Sequence, residues 1–159
     1  MIKSISRVVM AVLCVWQLCA AAAIAQQAQA VIRDDQRDGT IKTVQGEVDV
    51  VREGIRKAAV VGGPLHMTDR IQTGADGMAA VTLKDGTMLS LGPDTAIDLS
   101  AFQFNSTTQE GNILIDLLHG TMRMTTGLIA KIKPDRVKVV TPTTVIGVRG
   151  TDFIVEENR

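Results

Sequence analysis

The sequence predicts an all-β domain carried behind an export signal, and three observations carry that prediction. From Gly39 onward apolar and polar residues alternate at period two in short runs. Gly, Pro, Asp and Asn bound those runs, with turn signals recurring about every 8–10 residues, which suits short strands wound as a sandwich, a roll or a β-solenoid-like coil. Beyond the N-terminal segment, no window of about a dozen residues sustains an amphipathic helical period.

Residues 1–25 read as a signal peptide. Lys3 and Arg7 precede the apolar stretch Val8 to Leu18, and an alanine-rich run closes on Ala23-Ile24-Ala25, with a small residue on each side of Ile24. The apolar stretch is shorter than the roughly 20 residues a membrane-spanning helix requires. The mature chain is expected to begin at Gln26, which removes Cys14, Cys19 and Trp16, the only cysteines and tryptophan. Without thiols or disulfides, the exported domain must rest on its hydrophobic core. The chain's formal charge is zero, and losing Lys3 and Arg7 leaves it slightly acidic, so it shows no nucleic-acid footprint.

Residues 26–38, QQAQAVIRDDQRD, offer only Val31 and Ile32 for burial and read as a flexible leader. The β domain is assigned to residues 39–159. Its runs are Ile41–Val44 and Glu47–Val51 around Gly46; Met78 to Leu83; Met88 to Leu91 after Asp85-Gly86; and Ile97 with Leu99 after Gly92-Pro93-Asp94. Ile113, Ile115 and Leu117, then Met122 and Met124, Val137 and Val139, and Phe153 and Val155 complete the pattern. The Asp-Gly pairs, including Gly86, fit type I′ hairpin turns, where both central residues take positive φ.

Four segments carry a family resemblance: TVQGEVDVVREG, TDRIQTGADGMAAVTLKDGTMLSLGPDTAIDL, LHGTMRM and VVTPTTVIGVRGTDFIV resemble the FecR-type periplasmic domain, from about Gly39 to Val155. The most specific part is Val148 to Thr151 followed by an acidic residue and an aromatic; the DGTxLxL turn and strand is next. The resemblance implies an all-β extracytoplasmic module without known catalysis, in a family named for a regulator that relays an iron-siderophore signal to a sigma factor. Such regulators combine a cytoplasmic sigma-binding segment, a membrane span and a periplasmic part. Here residues 1–7 are all that precede the apolar segment, so a standalone exported member with no sigma-factor contact is expected. The family usually places Gly-Asp before the Arg-Ile-x-Thr strand, where this chain has Thr68-Asp69, and usually continues with more sheet beyond Val155.

Arg149 stands between Gly147 and Gly150 in an apolar run. Alternation counted back from Phe153 and Val155 puts it on their side, as a buried guanidinium needing an acidic partner, for which Asp69 and Asp152 are the candidates. Gly147 and Gly150 would allow close backbone approach or a bulge, and Thr151 completes this structural set. The competing reading makes Arg149 a carboxylate or anion ligand in a cleft.

Other chemistry is sparse. Asp76, Asp85, Asp94 and Asp98 are separated by strands, unlike the clustered oxygens of a calcium loop. His66 and His119 are far apart and neither sits at ligand spacing. Ser90, Ser100 and Ser106 lack a nucleophile elbow. Asp98 and Asp116 alternate with apolar neighbours and are expected to face solvent rather than to act as paired carboxylates. No catalysis, cofactor or metal is expected.

Two binding readings remain. Phe102 and Phe104 share a strand face and form the best aromatic patch for an envelope glycan, against the plainer reading that they cap the core beside the 105–112 loop. The terminal strand, Asp152, Phe153, Ile154, Val155 and Glu156, would leave backbone groups open to an envelope protein partner or to a second copy. The sequence therefore points to a periplasmic, non-enzymatic interaction or signalling module, with glycan binding as the alternative.

Overall fold

The computed structural model describes residues 37–158; the expected signal peptide and most of the expected leader lie outside them. Among the described residues there are twelve strands. In chain order they are β1 (Gly39–Gln45), β2 (Val48–Arg52), β3 (Ile55–Ala58), β4 (Pro64–Leu65), β5 (Arg70–Thr73), β6 (Met78–Leu83), β7 (Met88–Leu91), β8 (Ala96–Phe104), β9 (Gly111–Thr125), β10 (Val137–Val140), β11 (Val145–Gly147) and β12 (Asp152–Glu157). A five-residue helix, α1 (Leu128–Ile132), and a 3-10 turn, Pro134–Arg136, join β9 to β10. The all-β expectation holds, and the form is a sheet curled back on itself.

The curl depends on β9, at 15 residues the longest strand. Its first part pairs antiparallel with β8 and parallel with β10; its second part pairs antiparallel with β7 and β12. One half of the sheet therefore runs β3-β2-β5-β8-β9-β10-β11 and the other β4-β1-β6-β7-β9-β12. The sequence pattern shows the changeover: Ile113, Ile115 and Leu117 are buried at odd positions, and Met122 and Met124 at even ones. Gly120 sits between them with φ +93°, where a Cβ would lie 2.3 Å from Thr95 Oγ1 and 2.5 Å from Thr95 Cα. Only glycine fits both that dihedral and that approach. What reads as two runs is thus a single strand that shifts phase between Leu117 and Gly120, where the β8–β9 register slips by one residue at Leu118 and Gly120 takes positive φ.

Buried side chains from both halves form one hydrophobic cluster, including Leu65, Ile71, Leu89, Ile97, Ile115, Met122 and Val139. α1 contributes Ile129 to the same cluster. It lies in the crossover that the parallel β9–β10 pair demands, because parallel neighbours cannot be joined by a tight hairpin.

Three local expectations are corrected. Asp85-Gly86 is not a type I′ turn. Residues 84–86 form a three-residue connection closed by the Leu83 N–H to the Thr87 carbonyl at 2.8 Å, and Gly86 (φ +85°) takes positive φ while Asp85 does not. The Asp85 carboxylate instead accepts from Thr87 N and Thr87 Oγ1 at 3.0 and 2.8 Å, and Thr87 Oγ1 accepts from Gly127 N, docking this turn onto the end of β9. Gly77 lacks positive φ as well; a Cβ there would meet the Glu47 carbonyl at 2.2 Å, so close packing decides that position. Asp38, assigned to the leader, is bonded into the fold: its N–H donates to Leu65 O at 2.7 Å and its carboxylate accepts from Met67 N at 2.8 Å.

Candidate interaction edge

Among the described residues, four strands have a neighbour on one side only: β3, β4, β11 and β12. Exposed edges carry unpaired N–H and C=O groups that can pair with another chain, and short length or central charges blunt them. β4 has two residues and β11 three, while β3 has four, with Arg56 and Lys57 in its middle. β12 has six, with Ile154 at its centre, 66% exposed.

The register tells which backbone groups of β12 are open. Thr126 N–H donates to Thr151 O at 2.9 Å, so the narrow pairs continue through Phe153↔Met124, Val155↔Met122 and Glu157↔Gly120. Phe153, Val155 and Glu157 spend their backbone groups on β9. Those of Asp152, Ile154 and Glu156 point away from it. Val155 is buried and Phe153 packs on the core, so this strand is fixed to the body while its outer side stays open.

β12 is held by charge as well. Arg123 on β9 grips the Asp152 carboxylate with two nitrogens, Nε at 2.9 Å and Nη2 closer still. That contact, led by the hydrogen bond, holds the Asp152 carboxyl below its ordinary range. Thr143 Oγ1 donates to Glu157 Oε2 at 3.0 Å, tying the far end to the β10–β11 turn.

Arg149 is not where alternation put it. β11 ends at Gly147 and β12 begins at Asp152, so no single strand carries the phase between them, and Gly150 takes φ +142°. Val148 is the inward residue of this segment; Arg149 is exposed and, among the described residues, has no ion pair or side-chain hydrogen bond. It lines a shallow cavity of about 300 Å³ together with Ile146, Asp152, Phe153 and Ile154. Neither glycine allows close approach: a Cβ at Gly147 or Gly150 would meet nothing within 4 Å. Gly150 and Thr151 act through their carbonyls, which accept from Thr126 Oγ1 and Thr126 N.

The guanidinium that meets the buried carboxylate is Arg52. Asp69 is fully buried and accepts from Arg52 Nε at 2.6 Å, Arg52 Nη2 at 2.7 Å and His66 N at 2.8 Å. Arg52 Nη2 also reaches the Pro64 carbonyl at 3.3 Å, so this side chain links the two halves of the curled sheet. The Asp69 hydrogen bond leads the causes that raise the Arg52 pKa. Just before Asp69, Thr68 takes φ +68°, a left-handed position where the family's usual glycine would be unstrained.

The remaining candidates are engaged elsewhere. Asp98 faces Asp116 across β8 and β9, but Arg70 holds both Asp98 oxygens at 2.6 and 2.7 Å and Ser100 donates to Asp116. Both carboxylates are partly buried and bonded to neighbouring side chains while keeping some solvent exposure. Asp94 takes φ +47° in a turn, and the Asp76 backbone packs beside Gly46. His66 is half-buried with its Nδ1 unpartnered, and His119 is a β9 residue opposite Ala96. Phe102 is 3% exposed, so it belongs to the core and cannot offer a stacking face; Phe104 is half-buried beside it.

The FecR protein family matches residues 69–159, so the chain belongs to that family. No curated protein and no solved structure matches the chain. The matched region starts at the buried Asp69 and runs through β12. It leaves out the N-terminal strands β1 to β4, whose segments carry part of the resemblance read from the sequence.

Proposed function

We propose that this FecR-family chain is an exported, non-enzymatic interaction module of the cell envelope that recruits a protein partner by adding a strand to β12. Family membership supports a role in envelope signalling or regulation. The signal-peptide pattern of residues 1–25 supports the extracytoplasmic location, and among the described residues no helix is long and apolar enough to cross a membrane.

The observation that carries the reading is the outer side of β12. Main-chain groups of three residues face away from β9, the exposed Ile154 stands at the centre, and the strand itself is anchored by Val155, Phe153 and the Arg123–Asp152 pair. Strand addition draws its affinity from main-chain hydrogen bonds and its selectivity from alternate side chains. Arg149 lies beside the start of this edge and Glu156 near its end, so an incoming strand with opposite charges at matching ends is favoured.

Ile154→Pro tests this directly. Its N–H points away from β9, so proline removes an edge donor without breaking the internal ladder, a position where a sheet tolerates it. A photo-crosslinker at Glu156 in producing cells is expected to trap a discrete protein adduct that Ile154→Pro abolishes and that is absent with the crosslinker at Ser106. Equal adducts with and without Ile154→Pro, or none, would reject strand addition at this edge.

A further inference from the structure

A concavity lies at the Phe104 end of β8. It is an open cleft of about 620 Å³ between the β8–β9 turn and the α1 crossover. Its size is that of a small-molecule or oligomer site. Phe104, Asn105, Glu110, Asn112, Lys133 and Arg136 supply its chemistry.

The walls are fixed by two contacts. Lys133 Nζ meets Glu110 Oε1 at 2.6 Å, joining the crossover to the turn. Beneath them Gly111 brings β9 so near β8 that a Cβ would lie 2.0 Å from the Gln103 carbonyl and 2.9 Å from Ile129 Cδ1. The turn is also pre-shaped: Asn105 Oδ1 accepts from Thr107 N at 2.9 Å and Thr108 N at 3.1 Å, which leaves its amide NH2 as a donor.

Counting what remains uncommitted gives a donor-rich cleft. Glu110 is paired with Lys133 through Oε1, whereas the Arg136 guanidinium has a carboxylate, Asp135, no nearer than 4.0 Å. The amide groups of Asn105 and Asn112 add further donors. A ligand rich in oxygen acceptors and carrying negative charge satisfies that set, and a guanidinium pairs with a carboxylate in a planar, two-point fashion. Phe104, packed on the core and partly exposed along the cleft, adds an apolar face, which suits the C–H side of a sugar ring.

We propose that this cleft binds an acidic saccharide, its carboxylate on Arg136 and a ring face on Phe104. The site replaces the Phe102–Phe104 pair, since Phe102 is in the core, and it is independent of the β12 edge.

The test is calorimetry with the purified protein and three probes: oligogalacturonate, its methyl ester, and poly-glutamate as an acid without sugar rings. Saturable binding of oligogalacturonate is expected, weakened about five- to tenfold by Arg136→Gln and by Phe104→Leu, which keeps an apolar side chain in the core but removes the flat face. Arg149→Gln and Ile154→Pro should leave it unchanged, and the ester and poly-glutamate should bind several-fold more weakly. No saturation by about 10 mM oligogalacturonate overturns the proposal. So does equal binding of poly-glutamate, or a loss with Arg149→Gln as large as with Arg136→Gln, which marks diffuse charge attraction.

Discussion

Replacing Arg52 separates the guanidinium that clamps this fold from the one alternation nominates. Asp69 is fully buried, and two of its three hydrogen bonds come from Arg52. In Arg52→Gln that carboxylate keeps the His66 N–H and loses its counter-charge. Stranding one partner of a buried pair costs about 3–5 kcal/mol. The Arg52 side chain is 42% exposed, so solvent screens part of the attraction and the expected loss falls to about 2–3 kcal/mol. For a domain of this size that is a fall in Tm of roughly 10 °C. Arg149→Gln, with an exposed side chain, should change stability by no more than about 0.5 kcal/mol. Urea denaturation of both variants, with the m-value checked for constancy, measures the contrast. The double variant Arg52→Gln/Asp69→Asn should lose less than the sum of the singles, by about 1–2 kcal/mol. A larger loss with Arg149→Gln than with Arg52→Gln, or simple additivity in the double variant, would refute the Arg52–Asp69 clamp.

Further outcomes are expected. Thr68→Gly should stabilise by about 0.5–1 kcal/mol, because relief of a left-handed β-branched residue exceeds the added chain entropy; thermal melts read it. Gly120→Ala should lower Tm by well over 10 °C or abolish the cooperative transition, since its Cβ meets Thr95 backbone and the φ is left-handed, each a cost of order 1–3 kcal/mol or more. In native-state hydrogen exchange of isolated protein, Phe153 and Val155 amides should be protected while Ile154 and Glu156 exchange quickly; uniform protection would mean the edge is already covered. The depressed Asp152 carboxyl also sets a pH window. Its pair with Arg123 contributes fully above the unfolded-state value, about 4, and fades as pH falls through the lower folded value. Corrected exchange rates at Phe153 should therefore rise below about pH 4 in the native sequence and stay flat there in Arg123→Gln.

The strand content is legible because each inward residue alternates with an outward one, and Val81, Leu89, Ile97 and Ile115 keep that phase in the structure. β3 was not legible: IRKA has no apolar alternation, because all four residues are exposed on an edge. α1 is not legible either, because five residues cannot establish a 3.6-residue period. Alternation misplaces Arg149 for a related reason, because the count back from Val155 runs past the start of β12. Parity is reliable only within an unbroken, bulge-free strand; a bulge in β9 and the break between β11 and β12 both reset it. Arg52 carried no signal of its own. Its partnership with Asp69 follows from the β2–β5 register, which sets Val51 opposite Arg70 and so brings residues 52 and 69 side by side. The cleft residues lie apart in sequence and meet only through the crossover that the parallel pairing imposes.

The single long strand β9 has a mechanical consequence. A load taken up by β12 enters Met122 and Met124 and passes along one covalent backbone to Ile113 and Ile115, which belong to the opposite half. Pulling there shears the whole body and cannot peel one layer from the other. A tug at the docking rim should therefore be felt at the far cleft with little slack, and the domain should rupture as one unit under tension.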